Sequence, residues 1–308
     1  MNGDDVYELL GKAYDTEDVD EVTALVERAL ELEPDNPEVL MFKADLLEDD
    51  AERFFVLERA IKEAKRYFQE EELSDEDILE DEVGLVYLGL LQRAAYTLFS
   101  LGEDEQSMKL LEELLGYDQA DLAMGKLLYY RILLEWEEWT RVLEVTLQET
   151  TRGLAWVYAK LIATFMLSGD GKKDGKKEGK NGKEAKSDKN LNRMLWDAVR
   201  MAPNVPFYML GYIPDPLNET EDEDFHFAIL FEEIWSISRN LLNWFSKGTI
   251  LFGLLTGRFG QEAESMKEIL EALNGLTDYE NLTLRLGNAS DDERVLEALT
   301  TGEYPSYW

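Results

Sequence analysis

The sequence has no cysteine and a single histidine, His226, among 308 residues. That excludes disulfides, thiolate nucleophiles, iron–sulfur clusters and cysteine-based zinc sites, and leaves a histidine-centred triad only one residue to draw on. Basic residues are scarce: 31 Lys and Arg stand against 66 Asp and Glu, a formal net charge of -35. Such a field repels phosphate and argues against direct binding of nucleic acid. Long hydrophobic runs are missing as well. The best stretches, 83–101 and 153–167, are interrupted by Gln92 and Arg93 and by Lys160, so no membrane span is expected. The first residues are acidic with no apolar core behind them, so no secretory signal is expected and the cytoplasm is the expected location. No P-loop, GxGxxG, GxSxG or HExxH motif occurs. What is present is 45 % hydrophobic and 11 % aromatic, the composition of a folded chain rather than a disordered one.

The dominant period is helical. Between Glu21 and Leu32 the apolar positions Val22, Leu25, Val26, Ala29, Leu30 and Leu32 fall on one face, with Asp20 as the expected cap. Pro34, Asn36 and Pro37 end that helix, and Pro37 suits the first position of the next. Further helices are expected at about 38–47, 51–69, 78–101, 104–116, 120–135, 137–149, 153–167, 191–201, 224–245, 261–273 and 291–300. No convincing strand is found. The helices come in pairs at solenoid spacing, and a similar amphipathic second helix recurs at 21–34, 105–118 and 190–203.

These lines carry a resemblance. Val22, Val26, Ala29 and Pro34 fall where tetratricopeptide (TPR) repeats place the key residues of their second helix. Asp35, Asn36 and Pro37 look like the turn between repeats, and Ala44 like the small residue where paired helices touch. A narrower resemblance begins at Trp196. Pro203, Val205, Pro206, Tyr208, Leu210, Gly211, Ala228, Trp235, Leu242 and Trp244 are similar to the closing line of a bacterial TPR-like family related to the suppression-of-tumorigenicity proteins. Asn204 and Phe207 depart from it, standing where that family has His and a basic residue. The resemblance covers roughly residues 1–245 and implies an all-α, TPR-like antiparallel helix-pair solenoid, an α/α superhelix with a C-terminal helical extension. It brings no established chemistry. The expected parts are a solenoid over 1–213 and an extension over 214–308 that packs on or caps it.

Residues 169–190 stand apart. Eight Lys and five acidic residues are set among Gly, with no large apolar side chain, which reads as a flexible insertion. Without it, 23 basic residues face 61 acidic ones. It is either a tolerated surface loop or a basic arm for an acidic surface. The aromatic tail at Tyr304, Tyr307 and Trp308 is expected to dock on the protein, with Ser290 and Gly302 bounding the helix before it.

Candidate chemistry is thin. The run 70–82 has nine acidic residues in thirteen, lacks an EF-hand's ligand spacing, and reads as a solvated helix start. Residues 219–224 read the same way. Glu135, Glu137 and Glu138 with Trp136 and Trp139 could receive Lys or Arg, although tryptophans at helical spacing are expected in the core. His226 is expected to be packed or capping. No catalytic residue, metal site or cofactor is expected. The expected function is a non-enzymatic protein-interaction scaffold whose acidic helical-repeat groove takes a basic or amphipathic segment of a partner protein. By TPR register the groove residues are Glu38, Met41, Asp45, Gln92, Tyr96 and Phe99. The alternative is an acidic nucleic-acid mimic that inhibits a nucleic-acid-binding protein. An acidic surface also keeps a protein hydrated at high salt, in which case the charge says nothing of a partner.

Overall fold

The computed structural model describes residues 5–149, 152–168, 184–217 and 222–273. Among them every regular element is a helix and there is no strand. In chain order these are α1 (Val6–Asp15), α2 (Val19–Leu32), α3 (Pro37–Asp45), α4 (Asp50–Glu70), the single turn α5 (Asp75–Ile78), α6 (Glu82–Ser100), α7 (Asp104–Tyr117) and α8 (Gly125–Glu135). They continue with α9 (Trp139–Gln148), α10 (Leu154–Leu167), α11 (Glu184–Met201), α12 (Val205–Met209), α13 (Glu223–Ser236), α14 (Arg239–Leu255), a 3-10 turn at Gly260–Glu262, and α15 (Ala263–Ala272). The chain forms two compact units, Met1–Tyr129 and Tyr130–Trp308, with the division inside α8.

Local chemistry sets the helix boundaries. Asp18, not Asp20, caps α2: its Oδ1 accepts the backbone N–H groups of Asp20 at 3.0 Å and Glu21 at 3.2 Å. Asn36 does the same for Glu38 and Val39 just before Pro37. Ser74 and Asp77 form a reciprocal capping box around α5, and Asp81 then caps α6. The expected helix over 78–101 is therefore broken at 79–81. Gly84 is required there, because a Cβ would lie 1.7 Å from the Ile78 carbonyl oxygen. Similarly, 224–245 divides into α13 and α14, because the Ser238 hydroxyl accepts the N–H of Leu241 and starts a new helix. Two helices escaped the sequence reading: α1, and the five-residue α12. Helix α11 begins at Glu184, inside the segment expected to be flexible, where the Gly run has ended and Lys, Glu and Ala favour helix. Residues 169–183, the candidate helix at 291–300 and the aromatic tail lie outside the described residues.

Neighbouring helices pack in pairs. In the first unit α1 packs on α2, α2 on α3, α3 on α4, α4 on α6 and α6 on α7, while α3 also touches α6. Ala44 of α3, Ala60 of α4 and Ala94 of α6, each 0 % exposed, meet in one cluster with Leu40, Leu57 and Leu90. Alanine there lets three helices cross closely. Val26 and Ala29 of α2 bury against α1 and α3 with Leu9, Leu10 and Val39. Each such aliphatic side chain contributes about 1.5–3 kcal/mol on burial. An exposed ion pair such as Lys12–Glu8 contributes about 0–1 kcal/mol, so apolar packing rather than surface charge holds the unit together.

In the second unit α9 packs on α10, α10 on α11, α12 on α13, α13 on α14 and α14 on α15. Trp235 stacks on Phe245 at 3.7 Å, and the buried Trp244 donates its indole N–H to Asn192 at 2.9 Å. Arg131, only 4 % exposed, donates to the Leu230 carbonyl at 2.7 Å and to Glu135 and Glu233. Gly211 takes φ 65° after α12, a conformation that favours glycine.

Two consequences are measurable. Ala44→Leu overpacks the α3–α4–α6 crossing and should destabilise the protein by about 1–3 kcal/mol in urea unfolding. Asp18→Ala should lower stability by about 0.5–2 kcal/mol, and Asp20→Ala by clearly less, because only Asp18 caps.

Candidate functional site

The six groove residues expected from register lie on two neighbouring helices of the first unit. Glu38, Met41 and Asp45 belong to α3, and Gln92, Tyr96 and Phe99 to α6. An ion pair joins the two helices: Arg93 Nε donates to both carboxylate oxygens of Asp45, at 2.9 and 3.0 Å. Asp45 therefore carries its own counter-charge. Met41 is 8 % exposed and packs in the alanine cluster, so it supports the face from beneath rather than presenting itself to a partner. Glu38 is half-buried and accepts the Tyr14 hydroxyl of α1 at 3.1 Å. Partial burial of that hydroxyl, then the Glu38 carboxylate, push the Tyr14 phenol up to about 12. Gln92, Tyr96 and Phe99 are half-buried on α6.

One stripe of α6 runs Leu85, Gly89, Gln92, Tyr96, at the i, i+4, i+7, i+11 spacing of a single helix face. Its C-terminal half carries the expected residues. Its N-terminal half opens into a cleft of about 960 Å³. Helix α6 supplies Leu85, Leu88 and Gly89, the α5–α6 link supplies Leu79, and α7 supplies Glu112, Glu113 and Gly116. The α7–α8 loop closes the far side. Leu79, Leu85 and Leu122 are 41 %, 54 % and 78 % exposed, so part of the lining of this cleft is apolar and open to solvent.

The loop 118–124 is tightly determined. Asp118 is 3 % exposed, and its carboxylate accepts the backbone N–H groups of Leu122 at 2.9 Å and Ala123 at 2.7 Å. Asp121 accepts the Lys126 N–H at 2.9 Å, and the Lys126 ammonium donates to the Gln119 carbonyl at 3.0 Å. Against these bonds stand φ values of 63° at Asp121 and 52° at Met124, each costing about 1–3 kcal/mol for a residue with a side chain. The loop thus holds Leu122 in the open by hydrogen bonding rather than by burial. It also couples to the α6 face: burial, and secondarily the Asp121 charge, hold the Tyr96 phenol well above its ordinary range.

On the α7 wall, Glu113 accepts the hydroxyl of the buried Tyr87 and pairs with Lys65 at 2.8 Å, tying α4, α6 and α7 together. Burial and the Glu113 carboxylate raise the Tyr87 phenol. Gly116 lies in the last turn of α7, and a Cβ there would meet nothing within 4 Å. Alanine would favour the helix by about 0.5–1 kcal/mol, so glycine keeps space open at a cost to stability.

Elsewhere the expectations divide. The acidic run 70–82 forms helix starts and the link between α4 and α6, as expected. Asp222 caps α13 with Glu223 and Asp224 in its first turn; residues 219–221 lie outside the described residues. His226 is exposed on α13 rather than packed. Trp136 is 37 % exposed and Trp139 half-buried, so this pair is not core. Glu137 at φ 58° takes the left-handed conformation just after α8 ends. Among the described residues, no group of three or more His, Asp or Glu is arranged to hold a metal ion, and no helix is long and apolar enough to cross a membrane. In the second unit Arg258 lies over Phe207 at 5.1 Å and donates to Asn204 at 3.1 Å, a tie between α12 and the segment after α14.

Leu79, Leu85, Gly89, Gly116 and Leu122 were not singled out in sequence. The reading of 78–101 and 120–135 as unbroken helices concealed the two segments that shape the cleft. Asp118 and Asp121 ahead of Gly125 were the available signal, since Asp favours turns over helix interiors. Comparison with protein-family models, with curated proteins and with solved structures finds no match for this chain.

Asp118→Ala leaves two buried N–H groups without their acceptor. It should lower stability by about 1–3 kcal/mol and raise amide exchange at Leu122 and Ala123 selectively. Unchanged exchange at those amides would contradict the role given to Asp118.

Proposed function

We infer that this chain is a non-enzymatic protein-binding module built from TPR-like helix pairs, whose α3–α6 face takes a basic, amphipathic segment of a partner protein. The observation that carries the reading is the continuity of the α6 stripe. Half-buried Gln92, Tyr96 and Phe99 lead through Gly89 into an apolar cleft walled by carboxylates. Aromatic and apolar surface supplies affinity, and the surrounding negative charge selects the sign of the partner. The pairwise packing of α1 to α7 and the direct α3–α6 contact support the repeat architecture. A formal charge of -35 would speed association with a cationic segment and make it sensitive to salt.

A random peptide display selected on the full chain at low salt tests this. Enriched peptides should combine Lys or Arg with large apolar residues and lose affinity as salt rises from about 50 to 500 mM. Gln92→Lys should weaken them about five-fold, the equivalent of about 1 kcal/mol. Enrichment of acidic peptides, or affinity that is flat with salt, would overturn the reading.

A further inference from the structure

We propose that the turn joining α8 to α9 is a docking point for a Lys or Arg side chain of a partner protein. The indoles of Trp136 and Trp139 receive it, together with the carboxylates of Glu137 and Glu138. All four residues belong to the second unit, whereas the α3–α6 face belongs to the first. The proposal therefore does not depend on the α3–α6 reading.

The tryptophans are the first observation. A tryptophan at helical spacing is expected to fill the core, and Trp235 and Trp244 do so at 1 % and 5 % exposed. Trp235 stacks on Phe245, and Trp244 donates its indole N–H to Asn192. Trp136 and Trp139 differ. One is exposed and the other half-buried, and among the described residues neither indole has a ring contact or a hydrogen-bond partner. Of the aromatic side chains, tryptophan attracts a cation most strongly, within about 6 Å of the ring centre.

The turn is the second. The Glu137 N–H donates to the Leu134 carbonyl at 3.1 Å and the Glu138 N–H to the Leu133 carbonyl at 3.0 Å. These bonds close α8 with Glu137 in the left-handed conformation, φ 58°. Only two residues separate the tryptophans, so their backbones lie within about 10 Å of each other. Those two residues are the glutamates. After α6 and α14 the corresponding position is glycine, Gly102 and Gly257, because a Cβ disfavours positive φ. The carboxylate at 137 is thus kept against the preference of the backbone.

Charge is the third, and it selects the occupant. Glu135 is already taken, pairing with Arg131 at 2.6 Å. Glu137 and Glu138 are exposed, and among the described residues neither carboxylate has an ion pair or a hydrogen bond. The nearest cations in sequence are engaged: Arg131 with Glu135 and Glu233, and Arg141 with a contact of its own. Two free carboxylates beside two free indoles attract a cation through both charge and ring quadrupole, and oppose an anion through both. A second copy of this chain, itself at -35, is disfavoured on the same ground.

The test uses the full chain and a short aromatic-free peptide of Arg and Lys, beside the same peptide with citrulline and norleucine in their places. Binding is read at the indole N–H signals of Trp136 and Trp139 in NMR, assigned with Trp136→Ala and Trp139→Leu. Both signals should shift with the basic peptide and stay in place with the neutral one. Trp136→Ala should weaken binding at the remaining indole about two- to fivefold. Glu137→Gly separates binding from folding: it should raise the melting midpoint by about 2–4 °C yet weaken the peptide about two- to fivefold. Glu72→Gly relieves the left-handed glutamate after α4 and should give a similar gain in midpoint with no loss of binding. Indole signals that ignore the peptide up to roughly 1 mM overturn the proposal. Equal shifts with the neutral peptide, or unchanged affinity in Glu137→Gly, do the same. So does movement of both signals when residues 169–183 are deleted, because the chain's own lysines are then the occupant. Gln92→Lys should leave this titration unaltered; if it does not, the indoles report on the α3–α6 face and the proposal falls. Failure of Gln92→Lys to weaken the display-selected peptides counts only against the α3–α6 reading.

Discussion

The crossing of α3, α4 and α6 at Ala44, Ala60 and Ala94 is the constraint on which the first unit depends. A helix pair has one apolar face too many to bury by itself, so it needs a neighbour. Three fully buried alanines let that neighbour approach until backbones nearly touch and the surrounding leucines interlock. Once α3 and α6 lie side by side at this distance, Asp45 and Arg93 come within ion-pair reach, and Met41 is pressed beneath the surface. The α6 stripe is what the crossing leaves uncovered. The face proposed for binding is thus a by-product of how the alanines close the core on the other side of the same helix.

Charge plays a different part from packing. With 66 acidic residues the folded state works against its own repulsion, and exposed ion pairs recover little of that. The carboxylates that matter structurally are the ones with defined partners. Asp18, Asp77 and Asp81 begin helices, Asp118 fixes a loop, and Glu113 ties Tyr87 and Lys65 into one knot. The remaining excess acts at longer range, as a field that favours cationic partners over acidic ones.

Much of the fold was legible because its signals are local. The 3.6-residue period marked most helices, Pro37 and Asn36 marked the α2–α3 turn, and Ala29 and Ala44 marked the close contacts. The α1 helix was missed because it is short and carries Gly11 in its middle, and the break between α13 and α14 because Ser238 looks unremarkable in an apolar run. The site was less legible. Register placed Gln92, Tyr96 and Phe99 on a shared face, yet it could not show that Met41 is core or that Asp45 is already paired. The cleft depends on a loop whose φ values and hydrogen bonds are tertiary outcomes, and on which leucines stay exposed. The left-handed turn at Glu137, next to a Trp136 that is 37 % exposed, is of the same kind.

Amide hydrogen exchange of the full chain, with and without a saturating Lys-rich amphipathic peptide, is the most direct measurement. Binding at the α6 face predicts new protection in the first unit confined to residues 79–99 and 112–126, with the 118–124 loop already slow to exchange before the peptide is added. Protection that falls on the second unit alone, or a loop that exchanges freely and orders only with the peptide, would contradict a preformed binding face built on the α3–α4–α6 crossing.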